Sequence, residues 1–119
     1  MAQHITLGRE GEDFATRYLT EEGFEIVDRN WRCTDGEVDI VARGEGYLVF
    51  VEVKTRSSIG SGHPLEAITP TKITRMTRVA YRWLDEHPGP FEPIRLDVVS
   101  VVMPRFTAPV VLHVTGVGE

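Results

Sequence analysis

The strongest pattern in the chain is a pair of apolar-rich runs joined by a glycine-bracketed turn. Gly36-Glu37-Val38-Asp39-Ile40-Val41-Ala42-Arg43 is followed by Gly44-Glu45-Gly46 and then by Tyr47-Leu48-Val49-Phe50-Val51-Glu52-Val53-Lys54. Such a sequence predicts a β-hairpin. Leu48 to Val53 is apolar at five of six positions, as expected of a strand covered on both faces. Glu52 and Lys54 stand at its far end, where an unpaired buried charge costs several kcal/mol. A conflict of this kind between pattern and polarity points to function.

Around the hairpin, periodicity predicts the remaining elements. A first helix runs from about Ile5 to Glu22 and is ended by Gly23, with Leu7, Gly11, Phe14, Ala15, Tyr18 and Leu19 on one stripe. Glu12 lies at the edge of that stripe, beside Asp13, and its ordinary place there is a solvated acidic face. Phe24 to Arg32 forms a first strand, with Phe24, Ile26 and Asp28 alternating against Glu25, Val27 and Arg29. Trp31 reads as a core or rim aromatic and Cys33 as a small buried apolar residue. Residues Arg56 to Ile68 lack periodicity and read as a loop, in which His63 is surface polarity.

Thr69-Pro70 opens a second helix with Thr at N-cap and Pro at N1. Ile73, Met76, Val79, Ala80, Trp83 and Leu84 form its core stripe, and His87-Pro88-Gly89-Pro90 ends it. A fourth strand follows from Ile94 to Met103. A fifth runs from Val110 to Thr115 at a sheet edge, with Pro109 before it. The order is α-β-β-β-α-β-β: an α/β fold of one domain spanning residues 1–119.

Side chains alternate along a strand, so the hairpin register decides which acids meet. Pairing Arg43 with Leu48, Val41 with Phe50, Asp39 with Glu52 and Glu37 with Lys54 places Asp39 beside Glu52, around a four-residue Gly44–Tyr47 loop. A one-residue slip separates the two acids. Paired carboxylates have Cβ atoms about 5 Å apart, close enough to share one Mg²⁺ at about 2.1 Å. Lys54 projects from the same face about 7 Å further along, where it can orient or deprotonate a water or stabilise a charged transition state. A structural salt bridge among Glu52, Lys54 and Asp39 explains the same spacing.

Charge qualifies this picture. The net charge of −5 argues against a general polyanion binder. Yet between Arg29 and Arg82 nine Lys/Arg face six acids, a local excess of +3 that leaves −8 elsewhere. Lys72, Arg75, Arg78 and Arg82 with no intervening acid make the second helix either a solvated basic face or a phosphate-facing one. A single cysteine excludes an internal disulfide and a cysteine-based metal site, so the oxygen-rich set favours Mg²⁺ or Mn²⁺ over zinc. No apolar run reaches the roughly 18 residues of a membrane span, and the N-terminus lacks signal-peptide regions. A cytoplasmic location and no membrane partner are expected.

Asp39 followed by Glu52-Val53-Lys54 is similar to the acid…Glu-x-Lys pattern of restriction-endonuclease-like nucleases. More closely, the chain resembles the YraN-like family of small uncharacterised bacterial proteins, distantly similar to archaeal Holliday junction resolvases. The likeness runs through Gly8-Arg9-Glu10-Gly11-Glu12, Ala15-Thr16-Arg17-Tyr18-Leu19, Gly23-Phe24 and Arg29-Asn30-Trp31-Arg32. It continues through Gly36 to Val41 and Leu48 to Arg56, and ends at Lys72 and Arg75. This resemblance implies a restriction-endonuclease-like fold, with Glu12, Asp39, Glu52 and Lys54 as its site and Lys72 as an addition.

The expected function is a Mg²⁺- or Mn²⁺-dependent nuclease acting on DNA, branched or structured DNA included. Asp39 and Glu52 would hold the metal, Glu12 would support it, and Lys54 would assist the water. Arg56, Lys72, Arg75 and Arg78 would contact phosphates, positioning without reading sequence. Resolvase-like action requires two sites and hence a homodimer, for which the Val110–Val114 edge is a candidate surface. The alternative is a nucleic-acid-binding or protein-interaction module on the same fold, without cleavage.

Overall fold

The computed structural model describes residues 2–58 and 68–119, with side chains from residue 7 onward. His63 and most of the loop around it lie outside the described residues. The elements follow the expected order: α1 (Ala2–Glu21), β1 (Glu25–Cys33), β2 (Gly36–Gly44), β3 (Tyr47–Arg56), α2 (Pro70–Glu86), β4 (Ile94–Val102) and β5 (Val110–Val114). The five strands form one mixed sheet in sequence order, with β3–β4 parallel and the other pairs antiparallel. This is the α/β architecture of the restriction-endonuclease-like core. Among the described residues, no helix is long and apolar enough to cross a membrane.

The helices cover opposite faces. Ala15 and Leu19 of α1 pack on Ile40, Ala42, Val49, Val51, Val99 and Val101, while Val79, Ala80 and Trp83 of α2 pack on Val41, Leu48, Phe50, Leu96 and Val98. Covering both faces explains the continuous apolar run of β3. Helix α1 begins a turn earlier than its apolar stripe. It ends as predicted, with Gly23 at φ 97°, where Phe24 N–H donates to Leu19 O and Gly23 N–H to Thr20 O. Those two bonds and the shared burial of Leu19 and Phe24 form a Schellman cap. Helix α2 opens on Thr69, whose Oγ1 accepts Lys72 N–H at 3.2 Å, with Pro70 at the first helical position.

Two details of the strands depart from simple alternation. A bulge between Ile26 and Asp28 turns Asp28 from the face expected of it toward α2, where its Oδ2 accepts Trp83 Nε1–H at 2.9 Å. Further along, Asn30 sits mid-strand at φ 52°, between the pairs Arg29↔Ile40 and Trp31↔Val38. Arg29 reaches α1, bonding Asp13 at 2.9 Å, yet Trp31 packs on the α2 side. Their partners behave alike: Ile40 lies in the α1-side core and Val38 in the α2-side core. Both strands therefore change face at Asn30 and Asp39. Asparagine is among the few residues that tolerate this backbone conformation.

Candidate active site

The hairpin register holds from its turn to the middle of the strands. Gly44 pairs with Tyr47, Arg43 with Leu48, Val41 with Phe50 and Ile40 with Val51. The turn itself is two residues, Glu45 at φ 56° and Gly46 at φ 85°, the type I′ geometry that follows strand twist. The four-residue loop is thereby corrected to a closed two-residue turn without altering the pairing.

Beyond Ile40↔Val51 the β2–β3 ladder stops, so Asp39 and Glu52 do not form the expected backbone pair. The face change at Asn30 and Asp39 carries β2 away from β3. Asp39 bridges the opening instead: its Oδ2 accepts the Val53 N–H at 2.7 Å, replacing a ladder bond with a side-chain one. A small cleft opens there, lined by Glu37 and Val38 from β2, Val51 and Glu52 from β3, and Met76 and Val79 from α2.

Lys54 and Lys72 meet at this opening, and the charge of Glu12 acts on Asp39 from α1. Glu52 Oε2 lies 2.6 Å from Lys72 Nζ and 3.5 Å from Lys54 Nζ, so strand β3 and the first turn of α2 meet on one carboxylate. Glu12 arrives from α1 on the opposite face of the sheet. Gly11 makes that approach possible, because a Cβ there would sit 2.7 Å from Thr55 Cβ. Arg29 steadies the acidic turn of α1, with its guanidinium 2.9 Å from Asp13 and 4.0 Å from Glu12.

The electrostatics single out Asp39. Burial, with the charges of Glu12, Glu52 and Glu37, pushes its carboxyl up to about 6 against the lowering pull of the Val53 N–H. The two lysines of the cluster pair with Glu52. Lys54 is pulled below the ordinary lysine range by burial and by the neighbouring Lys72, in opposition to Glu52. For Lys72 burial acts downward, but its hydrogen bond to Glu52 prevails and raises it.

Three carboxylates and no soft donor make a set suited to a hard divalent cation, and the repulsion at Asp39 is what such a cation would relieve. As the side chains stand, no three His, Cys, Asp or Glu among the described residues converge enough to hold a metal ion. Glu52 is drawn to Lys72 instead. Of the four cations expected to meet phosphate, Lys72 is inside this cluster, while Arg75 and Arg78 are exposed along α2. Arg56 ends β3, its carbonyl accepting Met103 N–H at 2.8 Å. Arg82 is engaged with Asp35 at 3.2 Å.

The pattern did not foretell Arg29, Asn30 or the Val53 amide as parts of the site. Asn30 alone carried a signal: an asparagine in mid-strand is suited to a left-handed backbone.

The profile of the uncharacterised protein family UPF0102 matches residues 11–101, a span that contains Glu12, Asp39, Glu52, Lys54 and Lys72. A UPF0102 protein of Beutenbergia cavernae is 54% identical over 112 residues, covering 94% of this chain and 95% of the relative. One from Streptomyces griseus is 53% identical, covering 93% and 94%. One from Kineococcus radiotolerans is 50% identical, covering 93% and 92%. With the family profile spanning most of the chain and relatives matching nearly end to end, the chain belongs to the uncharacterised protein family UPF0102.

Proposed function

We propose that this protein is a divalent-metal-dependent nuclease hydrolysing phosphodiester bonds in DNA, branched or structured DNA included. The observation that carries the reading is the opening between β2 and β3, where Asp39 caps the Val53 amide beside Glu52 and Lys54 and is raised partly by Glu12. Asp39 and Glu52 would hold Mg²⁺ or Mn²⁺, with Glu12 in support. When bound, such an ion supplies charge neutralisation on the phosphate and a more acidic water.

The chain's own groups serve the rest of the reaction. Lys54 Nζ, whose ammonium form burial and Lys72 disfavour, would stand beside the attacking water to orient it or take its proton. Lys72, Arg75, Arg78 and Arg56 surround the opening or extend from it along α2 and β3, where they would seat a phosphate backbone without reading bases. A homodimer would bring two such sites to one branched substrate.

A specific observation also favours the non-catalytic reading. The Lys72–Glu52 contact already neutralises one of the carboxylates, as a purely structural ion pair would. Incubation with linear, nicked, flapped and four-way DNA in Mn²⁺ decides between them. The nuclease reading expects cleavage of at least one substrate and loss of at least a hundredfold in rate in Lys54→Ala. Binding without cleavage on every substrate, or cleavage unchanged in the variant, supports the module.

A further inference from the structure

Glu52 carries two ammoniums of different origin. Lys54 follows it by two residues on the same strand and holds a 3.5 Å contact. Lys72 crosses from the first turn of α2 and approaches to 2.6 Å, with its backbone anchored by Thr69 and about a fifth of its side chain exposed. Lys72 thus makes the shorter contact although its side chain is the less exposed of the two, 22% against 37% for Lys54. Next on the same helix surface stands the exposed Arg75.

Resting on the metal-site reading above, we propose that Lys72 is the internal counter-ion of the unloaded site. Divalent-metal binding displaces its ammonium from Glu52, and the freed ammonium turns outward to a phosphate oxygen of the substrate. The argument is Coulombic. An ammonium 2.6 Å from Glu52 Oε2 stands where a metal bound to that carboxylate would place its charge, and two cations at that separation repel strongly in a half-buried setting. A long flexible lysine stem allows the exchange without moving the helix. Lys72 is thus a positioning residue: it holds Glu52 before the metal arrives and meets phosphate after. Metal and nucleic acid are then positively coupled, since each draws on the same displacement.

The test is calorimetric titration of Mn²⁺ into the full chain without nucleic acid, comparing the native protein with Lys72→Met and Lys72→Arg. Methionine keeps the apolar stem and removes the charge; arginine keeps the charge. Lys72→Met is expected to bind Mn²⁺ about tenfold more tightly, as removal of a partly screened ion-pair competitor implies. Lys72→Arg is expected to stay within about threefold of the native protein. The rise in melting temperature at fixed Mn²⁺ supplies a second readout and should rank the three proteins in the same order. Equal or weaker binding in Lys72→Met, or equal tightening in both variants, overturns the counter-ion role while leaving the metal site standing. No Mn²⁺ binding by any of the three removes the metal site itself.

Discussion

Asp39 Oδ2 accepts the backbone N–H of Val53 at 2.7 Å, at the point where strands β2 and β3 cease to pair. The acid therefore does the work of a missing strand carbonyl while being raised to about 6 by burial and by neighbouring acids. An asparagine at this position keeps an oxygen to accept the Val53 N–H and drops the repelled charge. Asp39→Asn is expected to stabilise the metal-free protein at pH 8 by about 2 to 3 kcal/mol, the free-energy equivalent of the pKa shift. Urea unfolding in a chelating buffer measures it; a less stable variant contradicts this electrostatic account.

The pH dependence of that gain has a definite sign. Asp39 binds its proton more tightly when folded than when unfolded. Its contribution is therefore fully present below its ordinary value of 3.8 and is lost as pH rises through about 6. The native protein and Asp39→Asn should match near pH 4 and separate progressively up to about pH 7. Stability curves at several pH values show this directly, and a constant offset across the range would disprove the assignment.

A second buried acid behaves in the opposite way. Asp97 is fully buried and holds the Arg95 guanidinium through two bonds of 2.9 Å, the Gly116 N–H at 3.1 Å, and His113 Nε2 at 2.7 Å. With the proton on Nε2, His113 in turn accepts from Tyr18 O–H at 3.0 Å. Burial raises Asp97, but these partners outweigh it and hold the carboxyl below the ordinary range. Its stabilisation is present above pH 4 and vanishes on further acidification. Asp97→Ala leaves Arg95 without its buried partner, for an expected loss of about 3 to 5 kcal/mol, readable as a lowered denaturation midpoint. A loss under 1 kcal/mol would show the network to be dispensable.

Helix α1 owes its approach to one missing side chain. A Cβ on Gly11 would overlap Thr55 Oγ1 and stand 2.6 to 2.7 Å from its Cγ2 and Cβ. Gly11→Ala should therefore destabilise by about 1 to 3 kcal/mol despite its better helix propensity. Thr55→Ala should restore part of the loss, giving a non-zero coupling in a double-mutant cycle. Additive effects would mean that the helix does not press on β3 there.

Arg75 and Arg78 stand on the exposed side of α2, where the proposed function would have them meet phosphate. If each neutralises one phosphate, replacement by alanine should lower the slope of log affinity against log salt by about one. Fluorescence anisotropy over a salt series measures the slope, and an unchanged slope removes that residue from the interface.

The sequence made the element order, both helix caps and the half of the hairpin register nearest the turn legible because each has a local cause: Gly23, Thr69-Pro70, and the apolar alternation of two strands on either side of a glycine-bracketed turn. Glu52 and Lys54 were visible as charges at odds with a buried pattern, and Asp39 through the expected register and the acid…Glu-x-Lys resemblance. What periodicity missed is non-local or arises from its own failure. The bulge before Asp28 and the left-handed Asn30 change which face a residue occupies, and no count by twos registers such a change. The end of the ladder at Asp39 follows from that twist, and the Lys72–Glu52 contact depends on how α2 lies across the sheet.

Because Asp39→Asn is expected to fold at least as well as the native chain, it isolates chemistry from stability. The most direct measurement is the single-turnover rate of Mn²⁺-dependent cleavage of a four-way or flapped DNA by the native protein and by Asp39→Asn. A metal-dependent nuclease predicts cleavage by the native chain and a rate at least a thousandfold lower in the variant, as loss of a metal-holding charge implies. Equal rates in the two proteins, or no cleavage by either on any structured DNA, would contradict it.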